Sequence, residues 1–269
     1  MKRLLIFLGA AMCLLIGTTG QEKKYGMYAV GFYNLENMFD TIHDAGKNDY
    51  EYLPTGVMKW GTMKYKAKLN NIATVLSELG TDRVQAGAAA IGVAEVENAR
   101  VLTDLINQQD LKARSFKFIH IEGPDQRGID CALLYNPRFF TPEKYFLQPY
   151  VAEPTDTAFH TRGFLTVQGI LAGDKVTFIV CHWPSRASTS HYREQAGKQV
   201  RALKDSIQQA CPEMKIIIMG DMNDDPSRSY LFQTEGRYKG NTKCTHASGV
   251  WLNGYSDHLP VTVYLVKEL

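Results

Sequence analysis

The chain has 269 residues, of which 45% are hydrophobic, 22% charged and 11% aromatic, an ordinary globular make-up that excludes intrinsic disorder, collagen-like or coiled-coil architecture and a polytopic membrane protein. A soluble chain of this size buries enough apolar surface for a core without disulfides or structural metal, so a metal here serves chemistry rather than folding. Lys and Arg total 30 against 28 Asp and Glu, so no whole-molecule field draws the chain onto nucleic acid.

Residues 1–20 read as an export signal: Lys2 and Arg3 begin it, an apolar run follows, and Thr18, Thr19 and Gly20 precede Gln21. The rival reading, an uncleaved anchor, is disfavoured because the apolar stretch is near the lower limit of about 17 to 25 residues for a span. Cys13 lies inside that run rather than at a lipidation site. The mature chain is therefore expected to start at Gln21, to have no stable membrane span and to be periplasmic or secreted. Losing Lys2 and Arg3 balances its remaining basic residues against the 28 acidic ones. Cys131, Cys181, Cys211 and Cys244 remain, at spacings that match neither a zinc site nor a disulfide-dense framework. Cys131 and Cys181 read as buried strand residues.

No repeat, low-complexity tract or linker interrupts residues 21–269, which are read as one domain. In chain order, β-rich runs are predicted at 27–34, 89–95, 116–121, 130–135, 163–171, 175–182, 215–220 and 260–266. Between them, KYKAKLNNIATVLSELG places Leu69, Ile72, Ala73, Leu76 and Leu79 on one helical face and stops at Gly80. ARVLTDLINQ is a weaker helix. A long one begins after Ser188, Thr189 or Ser190, with Tyr192, Ala196, Val200, Leu203 and Ile207 as its stripe, and ends before Pro212. Ala172, Gly173 and Asp174 make a hairpin turn. These elements predict a mixed α/β sandwich. Phe139, Phe140, Tyr145 and Phe146 could stack on bases but fit strand packing better.

Nearly every β-run finishes in a group able to bind metal or phosphate. Asn34, Glu95 and His182 close three of them, Asp221 and Asn223 follow a fourth, and Asp257 with His258 precedes the last. Strand ends on one side of a sheet are fixed points where distant residues converge. Each has a bland alternative. Asn34 alone fits a turn residue, and His182 a satisfied core histidine. Asp221 and Asn223 also fit an Asx-rich turn, whereas their spacing of two sets them on one side of a strand. Glu95 after AAIGVA favours a cation partner, because an unpaired carboxylate there is costly. Asp257 beside His258 reads as a metal ligand next to a general base, or as a capped turn.

The ordered motifs YNLEN, GVAEVEN, RGIDCALLYNP, CHWPSR, MGDMNDDP and GYSDHLPV together resemble the endonuclease/exonuclease/phosphatase superfamily, which has a deoxyribonuclease I-like fold. That resemblance implies a four-layer α/β sandwich of two packed mixed sheets flanked by helices. It implies phosphoester hydrolysis with Mg2+ or Mn2+, and a nucleic acid, phospholipid head group or sugar phosphate as substrate. It also assigns Asn34, Glu95 and Asp257 to metal binding, and His182 and Asn223 to holding the scissile phosphate. Asp221 then orients or activates water, and His258 is the catalytic histidine. Asp130 orients a histidine and Arg127 contacts phosphate, against bland readings as a strand-start carboxylate and a surface arginine.

Relatives commonly carry a longer stretch before the last motif, with a further strand whose aspartate orients the final histidine. Here the domain reads as shortened between about 227 and 255, and that aspartate as absent. The expectation is an exported, monomeric, metal-dependent phosphoesterase. The alternative is a catalytically weakened or inactive binding or scaffold member of the same fold.

Overall fold

Strand β1 (Tyr25–Met38) is buried on both faces because apolar residues occupy both of its alternating rows. Ala29, Tyr33 and Leu35 face a helical layer, while Tyr28, Val30 and Phe32 face a second sheet. The computed structural model describes residues 24–152, 159–223, 245–247 and 250–268. The expected signal, and most of the expected shortening, lie outside those residues.

The first sheet adds β2 (Ala88–Val96), β3 (Lys117–His120), β4 (Asp130–Tyr135) and β11 (Val261–Glu268), in the order β11-β1-β2-β4-β3. Within it β1 and β2 are parallel and the other neighbours antiparallel. The second sheet orders β5 (Phe140–Gln148), β6 (Phe164–Leu171), β7 (Asp174–His182) and β8 (Lys215–Asp221) as β5-β6-β7-β8. Only its β7–β8 pair is parallel. A short hairpin, β9 (His246–Ala247) with β10 (Val250–Trp251), precedes β11.

Helices α1 (Thr62–Glu78), α2 (Ala99–Ile106) and α3 (Gln109–Lys112) cover the first sheet, and α4 (Ser190–Ala210) covers the second. Leu69, Ile72, Ala73 and Leu76 of α1 pack on Ala29, Tyr33 and Ile91, while Val167, Phe178 and Val180 meet Val30, Ala90 and Leu133 between the sheets. The result is the four-layer α/β sandwich the resemblance implied. Helix α1 ends at the predicted glycine: Gly80 has φ +79°, and a Cβ there would lie 2.4 Å from that of Ala29. Ala172 and Gly173, both at positive φ, form the two-residue turn between β6 and β7.

Strand β5 is an addition to the sequence reading. Pro142 and the register shift between Pro142 and Lys144 break its alternation, which an edge strand tolerates. Phe140 is fully buried there, against Phe178, whereas Tyr145 of the same strand is exposed. Cys131 and Cys181 are buried on β4 and β7, as expected.

Candidate active site

Parallel pairing carries the C-terminal ends of β1 and β2 to one side of the first sheet, and those of β7 and β8 to one side of the second. Asn34 lies in register with Ala94, and His182 with Asp221. The β2–β4 ladder shifts register between Ala94 and Val96, so the intervening Glu95 forms a bulge at φ +62°. A left-handed conformation costs a residue with a Cβ about 1–2 kcal/mol, offset here by re-aiming the carboxylate so that Oε2 accepts the Asn37 N–H at 2.7 Å.

Four side chains converge from these ends, and His258 joins them from the loop before β11. Asn34 Nδ2 donates to Asp221 Oδ2 at 2.9 Å and to Glu95 Oε1 at 3.3 Å, and its own Oδ1 accepts the Glu36 N–H at 2.9 Å. His182 Nε2 stands 3.6 Å from Glu95 Oε1 and 3.8 Å from Asp221 Oδ2. His258 reaches the same Asp221 oxygen through Nε2 at 3.1 Å. Asn223 joins through its backbone, donating to Asp221 Oδ1 at 2.9 Å, while its side chain donates to the Trp183 carbonyl. Its φ of +50° suits an Asn. Ser256 fastens the final motif to β1 by donating to the Asn34 carbonyl at 2.7 Å, and it also accepts the His258 N–H.

The electrostatics separate the two histidines. Burial, and then the nearby Arg162 guanidinium, push His182 well below the ordinary histidine range, so this ring is neutral. For His258, burial opposes the charge, but hydrogen bonds to Asp221 and Asp257 outweigh it and raise the pKa to about 10. Burial acts to raise Asp221, and the hydrogen bonds from His258 and from the Asn223 N–H overcome it, holding the carboxyl below its usual range. The cluster at neutral pH is therefore an imidazolium gripped by Asp221, with a neutral imidazole alongside.

One expected residue stands apart, while Arg127 lies near enough for its charge to act on His182. Asp130 does meet a histidine, but it is His120 on β3, at 3.3 Å, and not a ring of the cluster. Arg127 is half-exposed, with Nε 3.8 Å from Asp125 Oδ1. Asp257 uses Oδ1 to hold Nδ1 of His258.

Sequence reading missed Arg162. It is buried, donating to Asp125 Oδ2 at 2.8 Å and to the Trp183 carbonyl at 3.0 Å. The signal was faint, an arginine just before a β-run. It also missed Glu36, whose Oε2 accepts from the N–H and hydroxyl of Thr245. Among the described residues no group of three or more His, Cys, Asp or Glu side chains is arranged to hold a metal ion, and no helix is long and apolar enough to cross a membrane.

Comparison places this arrangement among known proteins. The sequence profile described as the Endonuclease/Exonuclease/phosphatase family matches residues 29–232 and 227–267. No curated protein sequence matches the chain. Among solved structures, TDP2 from Caenorhabditis elegans is similar at TM-score 0.52 and 14% identity, over 88% of this chain and 74% of that one. ANGEL2, a 2',3'-cyclic phosphatase, is similar at TM-score 0.53 and 13% identity, over 78% of this chain. The chain spans 58% of the ANGEL2 chain. At such identities these structures speak for the fold alone, and it is the profile, matched across almost the whole of the two sheets, that makes the chain a member of the endonuclease/exonuclease/phosphatase family, hydrolytic on phosphoesters.

Proposed function

We propose that this protein is an exported, monomeric phosphoesterase that works with a divalent cation, Mg2+ or Mn2+. The carrying observation is the convergence on Asp221 Oδ2 of Asn34 from β1 and His258 from the loop before β11. The donor chemistry fits such a cation: the hard carboxylate oxygens of Glu95 and Asp221 are brought together around the Asn34 amide at the end of a buried sheet. Mg2+ is usually held by one or two carboxylates plus waters and substrate phosphate rather than by a protein cage. Asn34 and Glu95 would hold the ion, while Asp257 holds Nδ1 of His258. When bound, it supplies charge stabilisation for the phosphoryl oxygens.

The chain's own residues supply the rest. Asp221, kept ionised, accepts a hydrogen bond from the attacking water, orients it, and takes its proton as the bond to phosphorus forms and the bond to the leaving oxygen breaks. His258, protonated at Nε2, donates to an oxygen that gains charge during in-line displacement. His182 and the Asn223 amide hold the nonbridging oxygens, and Arg127 approaches the phosphate from the exposed side. Donors fixed in advance favour the transition state over the ground state. The substrate is a phosphoester of a nucleic acid, phospholipid head group or sugar.

The test is hydrolysis of bis(4-nitrophenyl) phosphate and 4-nitrophenyl phosphate by the purified protein with Mg2+. The expected outcome is chelator-sensitive turnover that Asp221→Ala and His258→Ala each reduce by about 10²–10⁴-fold. Metal binding without turnover on either ester would overturn the enzymatic reading in favour of a binding or scaffold role.

A further inference from the structure

The strand ends of the first sheet form a row that continues past the candidate active site. In the order β1-β2-β4-β3 it carries Asn34, Glu95, Asp130 and His120, with Asp130 opposite Val96 and His120 opposite Ala132. Neighbouring strands lie about 4.8 Å apart, so His120, two strands along, is about 10 Å from Glu95.

A cavity of about 550 Å³ opens at this far end, lined by Asp44, Lys47, Asn98, Arg100, His120 and Glu122. That volume falls within the range of about 300–1,000 Å³ typical of ligand sites. Its only apolar lining residues are Ala45 and Ala99 and its only ring is the His120 imidazole, already engaged with Asp130, so it offers no broad aromatic face for a base and little surface for an acyl chain. Its charges balance, and its cations are already engaged. Lys47 Nζ donates to the carbonyls of Gly123 and Asp125 at 3.0 and 3.1 Å. Arg100 is paired with Asp40 at 2.6 Å. A second phosphate entering here would face the carboxylates of Asp44 and Glu122 without an uncommitted cation among the lining residues.

What the cavity does offer is hydrogen-bond acceptors on a rigid floor. His120 is buried and fixed by Asp130 Oδ2 at 3.3 Å, and Asp130 Oδ1 is held by the Gly123 N–H at 3.0 Å. Nε2 is engaged with that carboxylate, which leaves Nδ1 of the ring for a hydroxyl group. Asp44 Oδ2 takes the Asn98 amide at 3.0 Å, while its Oδ1 stays 3.7 Å from Arg100. Carboxylates and an imidazole around a polar cavity suit several adjacent hydroxyl groups, which both donate and accept.

We propose that this cavity is a subsite for a neutral, hydroxyl-rich ring, a sugar or cyclitol, esterified to the phosphate held at Glu95. It rests on the phosphoesterase reading and narrows its substrate class. Asp44 and Glu122 accept from the ring hydroxyls and His120 bonds another, a lining that favours a hydroxylated ring over a nucleobase or a lipid chain.

The experiment compares two chromogenic diesters with Mg2+: bis(4-nitrophenyl) phosphate, and the 4-nitrophenyl phosphodiester of myo-inositol or glucose. The wild type is expected to favour the hydroxylated diester about tenfold in kcat/KM, the scale of one or two hydrogen bonds to charged groups. Glu122→Ala and Asp44→Asn should remove that preference through KM, leaving turnover of bis(4-nitrophenyl) phosphate unchanged. Equal specificity for both diesters in the wild type, or variants that slow both alike, would overturn the subsite. If neither diester is hydrolysed, the phosphoesterase reading fails by itself, and calorimetry of inositol phosphate and glucose 6-phosphate binding decides the subsite. Weaker binding to Glu122→Ala then supports it, and equal binding overturns it.

Discussion

Asp257 precedes His258 in the chain and holds Nδ1 of that ring, while Nε2 of the same ring rests on Asp221. Resemblance assigned Asp257 to the metal and expected the histidine to lack an orienting carboxylate. In the structure the neighbouring residue occupies the position of one. Removing an outer hydrogen-bond partner typically costs 10–100-fold in activity or metal affinity. Asp257→Asn is expected to lower kcat by about 10–100-fold with an unchanged Mg2+ requirement, whereas Glu95→Gln should raise that requirement. A Mg2+ titration of both variants checks the pair, and a raised requirement in Asp257→Asn would make it a ligand after all. The cysteines are governed by burial as well. It pushes the Cys181 thiol up to about 12 and the Cys131 thiol well above its ordinary value, so both are neutral near pH 8 and out of reach. Peptide mapping after iodoacetamide treatment of native protein should show Cys211 modified, and Cys131 and Cys181 modified only after unfolding.

Helix α1 buries one residue that its apolar stripe does not advertise. Lys68 is fully buried, donating to the Glu36 carbonyl and to Thr245 Oγ1 at 2.8 Å, with its ammonium 4.0 Å from Glu36 Oε2. Thr245 in turn donates twice to that carboxylate. The network ties α1 and the segment before β9 to the turn that holds Asn34. Lys68→Ala leaves the Glu36 carboxylate buried without its cation, and breaking such a pair costs about 3–5 kcal/mol. An unfolding free energy lowered by that amount, read in urea as a lower midpoint with an unchanged slope, is the expected result, and a loss under about 1 kcal/mol would mean that water replaces the ammonium. Such a lysine is illegible in sequence because on a helix it is nearly always solvated. Strand β5 was hidden similarly, by a proline that only an edge position forgives. The eight β-runs and the helices over α1, α2 and α4 were legible because their apolar periods match burial directly. The cluster was legible because polar residues closed apolar runs. What no linear pattern shows is partner choice: Asp130 selects His120, and Arg162 selects Asp125.

At the scale of the whole molecule, β11 and β8 are edges of their sheets on the side where both end. Val261 and Val263 on β11 are 57% and 47% exposed, and Ile218 on β8 is 40% exposed. Among the described residues no strand pairs beyond them. The surface is otherwise charged with both signs in near balance, 30 basic and 28 acidic residues in the full chain, so long-range attraction to a polyanion is weak. This bears on which phosphoesters the protein meets. A nuclease gripping about six to ten phosphates loses about 10³–10⁵ in affinity between 50 and 200 mM salt, because each neutralised phosphate releases a counterion. A protein that recognises one phosphate and the group attached to it releases few. Its kcat/KM on a phosphodiester substrate should fall less than about tenfold over the same range. Initial rates at several salt concentrations, on a small diester and on DNA, measure this. A steep decline on DNA with a flat response on the small ester would reveal a local basic track and return the protein to the nucleases. Flat responses on both would place recognition in the polar groups around Glu95 rather than in the field of the molecule.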